Sequence, residues 1–208
     1  MNNSVSSFLP VDYKVPTASG DYIKLPKGAP TKKMRILTAP VLGYEYFNTQ
    51  NKPVRSVTMP ASIPADLGIN KSTGQPNAIN HFWAMVVWDY DDKKIAIWSV
   101  TQKTIQTAIM NLFLDEDWGD ARDFDIKVTR TDTNDKVTYA VIPGNKKPIT
   151  VDIHEAFDNT PVNLQALFTG QNPFDKNLVL ADTIESQPDL GATDEHYQEE
   201  QPNFDDIR

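Results

Sequence analysis

The chain has no cysteine among its 208 residues. That excludes a disulfide framework and any thiolate metal site, and it fits a reducing compartment. No apolar run approaches the ~20 residues that carry a helix across a bilayer. The first twenty residues are polar and lack the apolar segment of a secretory signal. The expectation is a soluble, intracellular protein. Histidine is scarce: His81, His154 and His196 are scattered, and none sits at metal-ligand spacing from another. A glycine-rich phosphate loop and a Gly-x-Ser-x-Gly elbow are both missing. The acidic run from Asp115 to Asp120 has the composition of a two-metal nuclease cluster, but carboxylates crowded into one polar turn are ordinarily solvated. The sequence therefore points to no enzyme, no metal and no cofactor.

Net positive charge is lacking too. The chain carries −8 at neutral pH, which at first argues against a polyanionic partner. The distribution changes that reading. Residues 183–208 hold eight acids and one base of the 28 acids and 20 bases in the chain. The tail thus carries nearly all the net charge, and the body is close to neutral. Charge asymmetry of this kind suggests an acidic interaction tail.

What is present is organised around residues 81–114, HFWAMVVWDY-DDKK-IAIWSV-TQKTIQTAIMNLFL. The first ten residues are nearly all apolar or aromatic, so both faces of that strand need cover. Asp91-Asp92 with flanking lysines is a break of hairpin length, and residues 95–100 return as a second strand. Thr101 is a candidate N-cap. Ile105, Ala108, Ile109, Leu112 and Phe113 recur at helical spacing and predict one buried stripe.

On either side the chain adds strands. Residues 1–20 have no periodicity and read as a flexible arm, and residues 21–28 as a short edge strand. Residues 33–47 form the first convincing strand, bent near Pro40 and Gly43. Residues 48–80 are a long insertion containing a further strand at 54–58, and a long loop in a compact domain is usually functional. Trp118 folds back as a plug from the 115–120 turn. Residues 124–130 alternate, with Phe124, Ile126 and Val128 on one face. Residues 136–143 return as a strand, and residues 163–168 fit one short helix. The expected class is all-β with one helix. Five main strands with a helix between the third and fourth match the OB-fold, a five-stranded Greek-key barrel; a generic α+β sheet with one covering helix fits the same order. The expected organisation is the arm, a binding domain over 21–182, and a disordered acidic tail over 183–208.

Aromatic residues and cations carry the functional signal. Pairing Asp89 with Lys94 places Phe82, Val86, Trp88, Ile95 and Ile97 on one side of the hairpin and Trp83 and Trp98 on the other. A small barrel has one interior. Assigning the first set to it leaves Trp83 and Trp98 outward, where aromatics stack unpaired bases for about 1–3 kcal/mol each. Tyr44 and Tyr46 are further candidates. Alternation turns Lys33 and Arg35 away from Met34 and Ile36, and Lys127 away from Ile126 and Val128. Arg55 lies in the insertion, and Arg130, Lys146 and Lys147 lie at the ends of the last hairpin. A groove for single strands needs positive charge for phosphates and flat rings for bases.

The segments SGDYIKLPKG (19–28), KKMRIL (32–37), KPVRS (52–56), HFWAMVVWDY (81–90), IWSVTQKTIQTAI (97–109), DEDWGD (115–120) and DFDIKVTRT (123–131) together resemble bacteriophage single-stranded DNA-binding proteins over most of residues 19–174. The resemblance implies an OB-fold, sequence-tolerant binding of single-stranded DNA, and a role in phage DNA replication or recombination in the cytoplasm of an infected bacterium. Zinc-containing relatives are not matched, because there is no cysteine to build their site. The tail ends in Asn-Phe-Asp-Asp-Ile-Arg. Phe204 and Ile207, set among Asp205 and Asp206, read as an anchor for replication or recombination proteins. The competing reading is a protein-interaction or virion-associated barrel that does not bind DNA.

Overall fold

The computed structural model describes residues 21–28, 31–133, 136–175 and 177. Among the described residues seven strands form one antiparallel open sheet, with three helices. The sheet fits the all-β class but with more than its one expected helix: the short helix suggested over 163–168 forms at Ala166–Thr169, and the helix Val151–Asp158 was not expected.

The longest apolar strand is the axis. β4 (Asn80–Asp89) pairs along its whole length with β5 (Lys94–Val100), in the register Asp89↔Lys94, Val86↔Ile97 and Met85↔Trp98. Its other edge is shared. β1 (Lys32–Ile36) pairs with the end of β4, Met34 opposite Asp89, and β2 (Val41–Phe47) pairs with its start, Val41 opposite Ala84. β1 and β2 are thus two halves of one bent strand. The break precedes Pro40, which has no N–H to give a ladder. At the bend the Thr38 hydroxyl accepts from the Val86 N–H at 3.1 Å, so that donor stays satisfied.

β3 (Pro53–Ser56) flanks β2 and opens the insertion. On the opposite side β6 (Phe124–Thr133) pairs with β1, and β7 (Lys136–Lys146) pairs with β6. The sheet order is β3-β2-β4-β1-β6-β7, with β5 on the far edge of β4. α1 (Lys103–Leu114) joins β5 to β6; α2 (Val151–Asp158) and α3 (Ala166–Thr169) follow β7.

α1 departs from the expected detail. Its N-cap is Gln102, not Thr101, and no side chain caps it. Ile105 and Ile109 are buried, but Phe113 is 61% exposed. Gln106 takes a buried place instead, its Nε2 donating to the Val100 and His81 carbonyls. Trp118 does fold back, edge-on to Phe124 at 5.2 Å.

Both faces of the β4–β5 hairpin are covered. Met85, Val87, Ala96, Trp98 and Val100 pack with Met34, Ile36, Phe124, Ile126, Val128 and α1 in one core. Phe82, Ala84, Val86, Ile95 and Ile97 pack with Leu164 and Leu167 in a second, against which Phe157, Phe168 and Phe174 also lie. The segment after β7 therefore supplies a lid of its own. Gly43 permits the close approach this needs: a Cβ there would meet the Ser56 carbonyl oxygen at 2.6 Å and Phe168 Cε1 at 2.7 Å.

Candidate nucleic-acid interface

The two cores decide the fate of the tryptophans. Trp98 is 2% exposed and lies inside the first core. It offers no face to a base, and the outward placement expected for it is corrected. The reason is the second cover: once residues 151–174 shield the Phe82 side, neither hairpin face is left to solvent. Trp83 is half-buried. It lines an apolar cavity of about 300 Å³ with Ile36, Met85, Ile109, Phe113 and Arg122. Trp88, expected inside, is half-buried at the margin of the second core.

Tyr44 and Tyr46 stand on β2 with Leu42, on the same sheet face as His81 and Trp83, since Tyr44 pairs with His81 and Leu42 with Trp83. Tyr44 meets the His81 ring edge-on at 5.4 Å. The Tyr46 hydroxyl donates to Asp66 Oδ1 at 2.8 Å, which ties the insertion to β2 and raises its pKa. Arg55 is on the opposite face, paired with Glu45 at 2.6 Å and stacked 5.4 Å from the Phe82 ring centre.

The cations separate into used and free. Arg35 is 1% exposed. Its Nε donates to Asp125 Oδ1 at 2.8 Å, and its Nη1 donates to the carbonyls of Arg122 and Lys147. A guanidinium so enclosed is a structural tie, so the expected phosphate contact is corrected; alternation placed it off the Met34 face without showing that this face too is covered there. Arg130 is likewise engaged, donating to Asp132 Oδ1 and to the Leu25 carbonyl. Lys127 and Lys146 are exposed and have no ion pair among the described residues.

Lys33, Lys127 and Lys147 come together on one outward surface. Lys33 pairs directly with Lys127 across β1 and β6. On its other side the Tyr90 N–H donates to the Lys33 carbonyl at 3.3 Å. Tyr90, Lys33 and Lys127 thus form a row across three chain segments, roughly 5 Å apart from one to the next. Like charges directly opposed are unfavourable in a sheet. Here Lys33 leans away, its Nζ 2.9 Å from Asp125 Oδ2 and 4.0 Å from the Tyr90 ring centre. Lys147 Nζ reaches the same carboxylate oxygen at 2.9 Å and lies 5.9 Å from the Tyr90 ring centre. The Tyr90 hydroxyl donates to Asp125 Oδ1 at 2.8 Å.

Burial alone would raise the Asp125 carboxyl, but Lys147, Lys33, Tyr90 and Arg35 outweigh it and hold it down at about 2. Burial, then the bond to Asp125, pushes the Tyr90 phenol up to about 12. Lys33, Lys147 and Arg35 against Asp125 leave the cluster net positive. Tyr90 and Asp125 were missed in the sequence. The available signal was cations at alternate positions of β1 facing a lone acid on the polar side of β6.

By strand parity, Trp88 and Tyr90 project from one face of β4 and His81 and Trp83 from the other. The expected single groove is therefore split in two. Phe204, Asp205, Asp206 and Ile207 lie outside the described residues. Among those described, no group of side chains is arranged to hold a metal ion, and no helix is long and apolar enough to cross a membrane. No protein-family model, no curated protein and no solved structure matches the chain.

Proposed function

We propose that this chain binds single-stranded DNA without strong sequence preference, in phage DNA replication or recombination, on an OB-type barrel. The observation that carries the reading is the row Tyr90–Lys33–Lys127 with Lys147 beside it on Asp125. It sets ammonium groups for phosphates beside a flat ring for a base, the combination sequence-tolerant binders use. The strand order supports the OB assignment. Both halves of a bent first strand (β1 with β2) pair with β4, the β1 half also pairs with β6, β5 follows β4, and a helix connects β5 to β6. β3 and the long loop are then an insertion. Tyr44, Tyr46 and Trp83, on the other face, extend the contact only for a strand that wraps the sheet edge. The acidic tail, through Phe204 and Ile207, recruits replication or recombination proteins.

The test is a gel shift of the full chain with poly-dT and with duplex of equal length, with and without Mg²⁺. Binding of dT in preference to duplex, without cleavage, supports the proposal. Lys127→Ala should weaken binding to all sequences equally, because that ammonium has no structural duty. A second reading, a protein-interaction barrel, is favoured by one observation. α1 exposes Met110, Phe113 and Leu114 beside the apolar cavity, a surface suited to an apolar partner.

A further inference from the structure

We infer that Lys33 and Lys147 form a seat for one phosphate group, and that Asp125 is the residue that positions it. The inference rests on the reading of the Tyr90 row as the path of a polyanion.

Both ammonium nitrogens lie 2.9 Å from the same atom, Asp125 Oδ2. They are therefore no further apart than twice that distance, close enough for two oxygens of one tetrahedral anion to bridge them. Each ammonium has three N–H donors. One from each is directed to Asp125, leaving donors on both for a ligand. The side chains are only partly covered, at 37% and 49% exposed, while Asp125 beneath them is 5% exposed. An anion can reach the lysines but not the carboxylate.

The seat is held from below by Asp125 and Tyr90 and by the backbone of both lysines. Lys33 is fixed in the ladder between β4 and β6. The Lys147 backbone is held at both ends: its N–H donates to the Asp123 carbonyl at 3.0 Å, and its own carbonyl accepts from Arg35 Nη1 at 3.0 Å. Tyr90 is fixed through its hydroxyl on Asp125 and lies under the Lys33 ammonium. Freezing long lysine side chains ordinarily costs binding energy at each contact. Here the carboxylate has frozen them before the ligand arrives. Lysine acts on phosphate as a point charge rather than a fork, so two of them sharing one oxyanion need only this spacing. Lys127, next along the row, would meet the neighbouring phosphate.

Asp125 thus has an effect opposite to its charge. On net charge alone, Asp125→Asn should tighten anion binding, because it removes a negative group from the site. As a positioning residue, its loss releases both ammonium groups and weakens binding.

The test uses the full chain, two probes and a double-mutant cycle. Inorganic phosphate is titrated while the Tyr90 ring and the lysine side chains are followed by NMR; a dT oligonucleotide is titrated across a salt series. The variants are Lys33→Gln, Lys147→Gln, both together, Lys127→Gln as the independent cation, and Asp125→Asn. The expected results are a phosphate-dependent shift at Tyr90 that either lysine variant abolishes, and a double variant little weaker for dT than the worse single one. The salt slope for the double variant should fall by one phosphate's worth, about 0.7, and Asp125→Asn should weaken dT binding by about tenfold. Losses that multiply independently, with a slope change of two phosphates, overturn the shared seat, as does tighter binding by a folded Asp125→Asn chain. If Asp125→Asn does not fold, the lysine cycle decides alone, because both lysines are partly exposed. If the parent chain binds no dT but phosphate still shifts Tyr90 through both lysines, the seat stands and the DNA reading fails. If dT binds, phosphate shifts nothing and the cycle is additive, the seat fails and the DNA reading stands.

Discussion

Asp125 is one carboxylate with four donors, and its environment sets how the protein responds to acid. Its pKa is held at about 2, against 3.8 ordinarily. A carboxyl depressed on folding adds stability that is complete above its unfolded value and is lost as pH falls through the folded one. At about 1.4 kcal/mol per pH unit the gap is worth on the order of 2 kcal/mol. Stability measured by urea unfolding should therefore fall between about pH 4 and pH 2, and Asp125→Asn should flatten that window. Arg35→Ala should cost about 3–5 kcal/mol, the usual result of breaking a buried ion pair from one side. It would show as a lower denaturation midpoint, and a change under about 0.5 kcal/mol would contradict the buried tie. Trp98→Ala should cost about 3–5 kcal/mol as well, whereas Trp83→Ala, at a half-exposed cavity wall, should cost clearly less. Equal losses would contradict the burial difference between the two rings.

Among the elements, the second core depends on how closely α3 approaches β2 and β3. Gly43→Ala would drive a methyl group into the Ser56 carbonyl, Phe168 and Phe82. Overpacking of this kind typically costs about 1–3 kcal/mol. Phe168→Ala in the same chain should relieve part of it, so that the double variant loses less than the sum of the singles; a strictly additive pair would contradict the contact. The hairpin register, the presence of α1 after β5 and the alternation of β6 were legible in the sequence, because each rests on local periodicity. The demand for cover on both faces of β4 was legible too, in a run with almost no polar residue. What provides that cover was not. α2 is short and holds one buried residue, Ile153, and Leu164, Leu167 and Phe168 form no regular stripe. Their role is set by tertiary packing. The Asp125 cluster was hidden for a related reason: alternation marks β6 residues as facing away from Met34, but not whether that side meets water or Arg35.

In the molecule as a whole, a near-neutral body with a local cationic row is joined to a tail that holds most of the acidity. On the proposed reading both tail and DNA are polyanions, and they would compete for the same ammonium groups. Deleting residues 183–208 should tighten dT binding at low salt, and the gain should fade as salt screens it. Equal affinity of truncated and full-length chains at low ionic strength would remove the competition. The most direct test of the central claim is fluorescence anisotropy of a labelled dT oligonucleotide titrated with the full chain over a salt series. Binding should weaken as salt rises, with a log–log slope of about −0.7 per phosphate contacted, and the slope should be shallower when Lys33, Lys127 and Lys147 are replaced by Gln. No binding at low salt, or binding indifferent to those three lysines, would contradict it.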